Sequence, residues 1–344
     1  MDSKQVIITG GAGYIGSHTA VELAQSGYTP ILVDDFSNSS PKVMDGLEKI
    51  LHRKPQLFNI DCCDETALNT VFETCLNQGE IVGVIHFAAF KAVGESIAEP
   101  LKYFRNNIGS TLALLAVMEK HSIVSLVFSS SCTVYGQPRQ IPVDESAPIL
   151  PAESPYGYTK QACERLISDV HSTHSELSVS LLRYFNPIGA HPTGFIGELP
   201  LGPPNNLIPF IAQATAGIRD SLTVFGNDYP TPDGTCIRDF VHVMDIAKAH
   251  VCALNWLQSQ RNALEAFNVG TGKGSSVLQI IEAFESVNGV KVPHSIGPRR
   301  HGDIVAIYAD VQKAKDSMGW EPEHTLEEAV RDAWNWEKEL QNPV

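Results

Sequence analysis

Short, β-branched apolar runs alternate along the first half of the chain with longer stretches whose apolar residues recur at helical spacing. Residues 6–9, 29–34, 57–60, 82–87, 126–130 and 179–184 have the length and composition of strands. Between them, residues 14–26, 42–52, 65–77, 101–121 and 156–174 predict helices. Strands alternating with helices of this length imply βαβ units, hence a parallel sheet with helices on both faces. The expected fold class is α/β, a Rossmann-type doubly wound parallel sheet with a smaller, interleaved C-terminal substrate domain.

The pattern changes after Asn186. Residues 194–209 are rich in Gly, Pro and Asn, and residues 226–234 form a second turn-rich segment. Long loops of this kind are often functional. Residues 237–253 and 267–274 then read as a return to the sheet. The expected division gives residues 1–186 to the Rossmann domain, with 237–274 rejoining it. Residues 187–236 and 275–344 form the smaller region. No repeat of 20–50 residues and no low-complexity tract interrupts this order.

Composition narrows the partners. Of 344 residues, 43% are hydrophobic and 19% charged, ordinary values for a globular protein. A formal charge of -14 without a basic stripe excludes nucleic acid, and an anionic substrate needs locally placed arginines. The seven cysteines (62, 63, 75, 132, 163, 236 and 252) are an odd number without CxxC spacing. They match neither a disulfide framework nor a zinc site, and reduced thiols in a cytoplasmic protein are expected. The start, Met1-Asp2-Ser3-Lys4, runs directly into an apolar strand, which predicts no signal peptide. Apolar stretches such as residues 112–118 are too short to span a membrane.

The turn after the first strand reads Thr9-Gly10-Gly11-Ala12-Gly13-Tyr14-Ile15-Gly16, with Gly10, Gly13 and Gly16 in GxxGxxG spacing. Glycines serve where the chain turns sharply, where backbone nears a pyrophosphate and where helix meets sheet. The helix that follows offers free N–H groups and a positive dipole end to phosphates. Glycine spacing alone is weak, because a tight βα turn without a ligand uses the same residues. Asp34 strengthens it, standing at the end of the second strand where a carboxylate can bond both ribose hydroxyls. Asp34 followed by Asp35 would repel a 2′-phosphate, so NAD is expected rather than NADP.

Ser129-Ser130-Ser131 ends one predicted strand, and Tyr156-Gly157-Tyr158-Thr159-Lys160 opens the next long helix. Tyr156 and Lys160, four apart, share a helix face. With nine tyrosines in the chain, such a pair arises easily by chance as a surface contact. Its position after a dinucleotide loop and a serine-tipped strand argues for catalysis. Removing hydride from a carbinol carbon requires a base beside the hydroxyl oxygen. A nearby ammonium and a positive nicotinamide would both lower a phenol that normally titrates near 10. Lys160 could also hold the cofactor ribose, and Ser131 is suited to relay the proton or hold the hydroxyl.

At these residues the chain resembles the extended short-chain dehydrogenase/reductase family, and within it the nucleotide-sugar 4-epimerases. The matching stretches are GGAGYIGSHTA, HFAAFKAVGES from His86, SSSCTVYG from Ser129, SPYGYTK from Ser154 and LLRYFNPIGA from Leu181. They continue with PPNNLIPFI from Pro203, VFGNDYPTPDGTCIRDFVHVMDIA from Val224 and PRRHGD from Pro298, covering nearly the whole chain. The resemblance implies retained NAD and interconversion of UDP-galactose and UDP-glucose by oxidation at C4, rotation of the 4-keto sugar and re-reduction. It makes Tyr156 the base, Lys160 its modulator and Ser131 the hydroxyl partner. Tyr14 and Ile15 would line the pyrophosphate. Asp34, Asp35, Phe36, Ser37, Asn38 and Ser39 would flank the adenosine end, with Asp61 and Cys62 at the adenine. Phe87, Ala88, Ala89, Phe90, Lys91, Asn106 and Phe185 would surround the rest of the cofactor. Asn186, Asn206, Leu207, Thr223, Val224, Phe225, Arg238, Arg300 and Asp303 would hold UDP. Two arginines suit a diphosphate because guanidinium binds phosphate oxygens bidentately. The 101–121 and 156–174 helices carry excess apolar residues, and the resemblance suggests a four-helix interface in a homodimer; burial within one chain is the alternative.

Two positions depart from the family pattern. Ile307 stands where some epimerases have tyrosine; if it walls the sugar pocket, it leaves room for N-acetylated UDP-hexosamines. Cys132 often has alanine as its counterpart, a small change without expected effect. Gly270-Thr271-Gly272-Lys273-Gly274 lacks the GxxxxGK[ST] spacing and reads as a structural βα turn. His171 and His174 lack the companions of a metal site and read as surface residues. Vicinal Cys62-Cys63 reads as packing, with a backbone contact to adenine, ahead of a redox switch. Two other functions compete. A nucleotide-sugar 4,6-dehydratase would carry an acidic pair where Cys132 and Thr133 stand, and a non-catalytic NAD-binding regulator would lack Tyr156 or Lys160.

Overall fold

The computed structural model describes residues 3–300 and 303–341, so His301 and Gly302 of the PRRHGD stretch lie outside it. The first half runs β1 (Ser3–Thr9), α1 (Tyr14–Gln25), β2 (Thr29–Val33), α2 (Val43–Leu51), β3 (Gln56–Phe58), α3 (Glu65–Leu76) and β4 (Gly79–His86). It continues through α4 (Val93–Ala98), α5 (Pro100–Tyr103), α6 (Gly109–Lys120), β5 (Ser125–Ser131), α7 (Pro155–Thr173) and β6 (Ser178–Tyr184). The remainder comprises β7 (Asn186–Ile188), α8 (Leu207–Thr215), β8 (Leu222–Phe225), β9 (Ile237–Arg238), β10 (Phe240–His242), α9 (Val243–Gln258) and β11 (Leu264–Val269). It ends with β12 (Ser275–Ser276), α10 (Val277–Asn288), β13 (His294–Gly297), β14 (Ala306–Ile307), α11 (Gln312–Met318) and α12 (Leu326–Gln341).

Seven parallel strands form the central sheet in the order β11-β6-β5-β4-β1-β2-β3. This is the doubly wound arrangement, whose order reverses between β1 and β4. The α/β expectation holds. β5 is buried along all seven residues, as a strand covered on both faces must be. One face packs Val6, Ile8, Leu32, Ile85 and Val127 against α1 and α9. The other packs Ile7, Ile31, Val33, Val84 and Phe128 against residues of α3, α6 and α7. A separate apolar cluster joins α8, β8, α10 and α12 through Ile211, Val224, Phe284 and Val330.

Two sequence expectations change. The helix expected over 101–121 is broken: Pro100 opens the short α5, one π-helical turn follows at Phe104–Ile108, and α6 starts at Gly109. No glycine or proline stands within Phe104–Ile108, so no helix-breaking residue marks the π turn in the sequence. Residues 237–253 do not add a strand to the central sheet. β9 pairs with β12 and β14, β10 pairs with β7, and α9 covers the central sheet. The apolar residues of α9 are buried almost all round, which makes a helix and a buried strand look alike in sequence. β11 does join the central sheet, at its edge beside β6.

Candidate active site

Parallel strands bring their carboxyl ends to one edge, and the ends of β1, β2, β4, β5 and β6 carry the candidate residues there. Ligand crevices of open α/β sheets lie on this edge, at the switch in strand order.

After β1, Gly10 takes φ +69°, and a Cβ on it would lie 2.8 Å from the Ala88 nitrogen. A Cβ on Gly16 would run into the Gly10 carbonyl. Gly13 caps α1 with no side-chain bond and no acidic residue in the first turn. The leading N–H groups of α1, around Tyr14 and Ile15, are therefore free for an anion. Asp34 is buried; its Oδ2 accepts the Ala12 N–H at 2.9 Å, and its Oδ1 accepts the Phe36 N–H at 2.9 Å and the Ser39 hydroxyl at 2.7 Å. Oδ2 keeps a lone pair for a further donor. Burial pushes the Asp34 carboxyl up, against those bonds. Asp35, Ser37 and Asn38 form an exposed turn in which Asp35 accepts from Ser37. Asp61 is exposed and Cys62 buried beside it. These features fit the adenosine and pyrophosphate of a dinucleotide.

The segment after β4 carries Phe87, Ala88, Ala89, Phe90 and Lys91. Asn107, which sequence reasoning passed over, fixes it. Its Oδ1 accepts the Phe90 N–H at 2.9 Å, while its Nδ2 donates to the Phe90 carbonyl at 3.0 Å and to Thr159 Oγ1 at 3.0 Å. Asn106 donates to Asn107 Oδ1 at 3.0 Å. Both asparagines sit on the π turn, a distortion found often at functional sites. A polar Asn-Asn pair inside an apolar helical pattern was the available signal.

Ser154 caps α7 by accepting the Gly157 N–H at 3.1 Å, with Pro155 in the first turn. Tyr156, Lys160 and Ser131 are brought together and buried, at 6%, 3% and 6% exposure. Lys160 Nζ donates to the Ser129 carbonyl at 2.6 Å and lies 4.9 Å from the Phe128 ring centroid. Burial lowers Lys160 to about 8. Burial also raises the Tyr156 phenol well above its ordinary value; Tyr184 adds to this, and a hydrogen bond from Ser131 opposes it. The lowering of this phenol expected from Lys160 together with the nicotinamide charge concerns the NAD-bound site; in the chain alone burial dominates. Behind these residues, Glu164 Oε1 accepts from Ser130 at 2.6 Å and Glu164 Oε2 from Arg183 at 2.6 Å, and Arg183 also donates to the Tyr135 hydroxyl at 3.2 Å.

Phe185 follows β6, buried with Val134, Tyr135, Val143 and Ile307. Ile307, at 3% exposure, pairs in register with Arg238. Asn186 donates its N–H to the Asp239 carbonyl at 2.9 Å. Arg238 Nη1 donates to the Ile304 carbonyl at 2.6 Å, and Arg238 and Arg300 both face Asp303, at 3.7 and 2.7 Å. Arg300 also lies 5.7 Å from the Phe225 ring centroid. In β8, Phe225 is exposed and Thr223 half-buried, but Val224 is buried in the apolar cluster, leaving it only backbone for a ligand. Asn206 and Leu207 open α8, where Asn206 donates to Glu198 at 2.6 Å. The Gly270–Gly274 turn is structural: Asp239 accepts the Thr271 N–H at 2.8 Å, its hydroxyl at 2.6 Å and the Gly272 N–H at 3.1 Å.

Relatives with this arrangement cover the chain end to end. A UDP-glucose 4-epimerase of Bacillus subtilis (strain 168) is 49% identical over 332 residues, 96% of each chain. The chain belongs to the UDP-glucose 4-epimerase family. A family model described as GDP-mannose 4,6 dehydratase matches residues 7–333, so the chain falls within that wider family too. The acidic pair of a dehydratase is missing, since Cys132 and Thr133 open the turn after β5. Among solved structures, UDP-glucose 4-epimerase from Stenotrophomonas maltophila, with bound NAD and formylated UDP-arabinopyranose, superposes with a TM-score of 0.95 at 44% identity. That match covers 99% of this chain and 100% of the other. The Bifidobacterium longum enzyme, in complex with NAD+ and UDP, gives 0.93 at 43% identity and 99% coverage of both chains.

Proposed function

We propose that this protein interconverts UDP-galactose and UDP-glucose with NAD held at the glycine turn. The observation that carries the reading is the buried trio of Ser131, Tyr156 and Lys160 at the end of β5, beside a turn that fits a dinucleotide, in a chain of this family. NAD, when bound, supplies the hydride acceptor and donor for C4 and a positive ring that favours phenolate. Ser131 and Tyr156 hold the C4 hydroxyl, and Tyr156 takes its proton as the carbonyl forms. Lys160, fixed on the Ser129 carbonyl, orients the site from beneath. Arg238, Arg300 and the Asn206 turn hold UDP while the sugar turns about its bond to the diphosphate. Tyr156 then returns the proton to the C4 oxygen, and because the hydride taken from C4 would also be returned there, no net oxidation results.

Gly10, Gly13, Tyr14, Ile15, Gly16 and Asp34 are assigned to the dinucleotide, with the 35–39, 61–62 and 87–91 segments, Asn106 and Phe185. Asn186, Leu207, Thr223, Val224, Phe225, Asp303 and Ile307 join the UDP-sugar side. The proposed division keeps 1–186 and 237–274 as the NAD domain and the remainder as the UDP-sugar region. Incubation with UDP-galactose, without added NAD, tests the reaction; UDP-glucose is expected, and Tyr156→Phe should abolish it while NAD stays bound. A fully active variant would remove Tyr156 as the base.

Three finer statements belong to the same reading. Ile307 is smaller than tyrosine, so UDP-GalNAc should be epimerised; no detectable turnover would refute this. Val93, Ile97, Leu101, Leu112 and Tyr158 are exposed on α4–α7 and suit a homodimer face, for which sedimentation should give twice the chain mass. All seven cysteines are free, which suits the cytoplasmic location in this reading. No helix among the described residues is long and apolar enough to cross a membrane.

A further inference from the structure

Glu198 lies in the loop before α8, outside every motif that carries the family resemblance. Its Oε1 accepts from Lys91 Nζ at 2.8 Å and from Asn206 Nδ2 at 2.6 Å. The Glu198 side chain is 12% exposed while Lys91 reaches it from the solvent side at 45%, so the carboxylate is the buried partner of the pair. Its backbone is held from behind by the C-terminal helix, where Trp336 Nε1 donates to the Glu198 carbonyl at 2.9 Å. Gly197 packs against the same indole, so closely that a Cβ there would lie 2.5 Å from the ring. The peptide is thus anchored on α12 and the carboxylate presented forwards. Tyr14, at the start of α1, belongs to the same junction: its hydroxyl donates to the Gly189 carbonyl at 2.6 Å, and Lys91 Nζ lies 5.8 Å from its ring centroid.

One carboxylate oxygen therefore joins a side chain of the dinucleotide edge to a side chain of the uridine loop. We propose that Glu198 is a positioning residue that couples the two halves of the site, so that UDP bound at the Asn206 turn tightens the hold on NAD at Lys91. The proposal rests on the reading of Lys91 and Asn206 given above. Both contacts end on one carboxylate oxygen, and charge-assisted bonds of this kind are short. Ordering Asn206 from the substrate side fixes Glu198, and Glu198 fixes Lys91. Linkage makes the effect reciprocal, so NAD should tighten UDP by the same factor.

The test is the rate at which the holoprotein releases NAD into a trapping dehydrogenase, with and without UDP. In the parent protein, UDP should slow release by about tenfold, within the usual range for coupled sites. In Glu198→Ala that ratio should fall to within about twofold of unity. Glu198→Gln keeps an acceptor for Asn206 but loses the charge facing Lys91, and should give an intermediate ratio. A structural role would weaken NAD and UDP binding and the thermal midpoint together while leaving the ratio intact. An unchanged ratio in both variants overturns the coupling, as does a parent protein whose NAD release ignores UDP. Should the alanine variant fail to fold, the isosteric glutamine variant decides. A parent that holds no NAD, or leaves UDP-galactose unchanged, would instead show that the underlying functional reading fails, and the coupling with it.

Discussion

Lys160→Met should stabilise the NAD-free chain near neutral pH while removing its activity. The lysine is 3% exposed, and burial lowers it from 10.5 to about 8. Between these values the unfolded chain binds more protons than the folded one, so stability rises with pH across that window. Below pH 8 the buried ammonium therefore opposes folding by about 3 kcal/mol. Methionine removes that penalty but leaves the Ser129 carbonyl without its 2.6 Å donor, a loss of about 1 kcal/mol. The variant should be more stable than the parent by about 2 kcal/mol at pH 7. By pH 9.5 the parent regains about 2 kcal/mol, because its lysine has largely given up the proton, and the gap should close.

Urea unfolding of both NAD-free proteins at pH 7 and pH 9.5, followed by circular dichroism, measures the difference directly. Epimerase turnover should fall by about 100-fold or more, the scale of a lost contribution to acid–base chemistry. A variant less stable than the parent at pH 7, or a gap that ignores pH, would refute the reasoning. Either result would mean that the ammonium gains more from Ser129 and the Phe128 ring than it loses on burial.

Gly10→Ala should abolish NAD retention, measured as nucleotide released on denaturation. Its φ of +69° adds about 1–2 kcal/mol of strain for a residue with a Cβ, before the contact with Ala88 is counted. Arg183→Met should lower unfolding stability by about 3–5 kcal/mol, since Glu164 stays buried with only Ser130 as a partner. Adding Glu164→Leu should restore most of that loss in the same urea titration, and a double variant no better than the single would argue against a desolvation penalty. Asp239→Ala should destabilise by about 3 kcal/mol or more, because donors at Thr271, Gly272 and Ala309 lose one buried acceptor. Rapid hydrogen exchange at Thr271 and Gly272 would report it.

Much of the nucleotide half was legible because its signals are local. The Gly10–Gly16 turn and Asp34 at a strand end each follow from backbone conformation over a few residues. Strand periodicity then ordered the elements, and the parallel sheet brought their ends together. The π turn at Phe104–Ile108 was hidden because none of its five residues is a glycine or proline that would mark a helix irregularity. Asn107 was missed for a related reason: its partners Phe90 and Thr159 lie 17 and 52 positions away. Residues 237–253 do return to the central sheet, but as a covering helix, and a helix buried on nearly every side loses the polar stripe that marks it.

By itself, the sequence determined the α/β class and the dinucleotide turn, and it named Ser131, Tyr156 and Lys160 as the candidates for the chemistry. Those rest on the chemistry of single residues and on short-range spacing. Only the tertiary structure decided the electrostatics. Burial, which no periodicity reveals, lowers Lys160, raises Tyr156 and turns the lysine's proton towards Ser129. The same holds for Glu198, whose partners Lys91 and Asn206 stand 107 and 8 positions away and meet only when the loops close over the sheet edge.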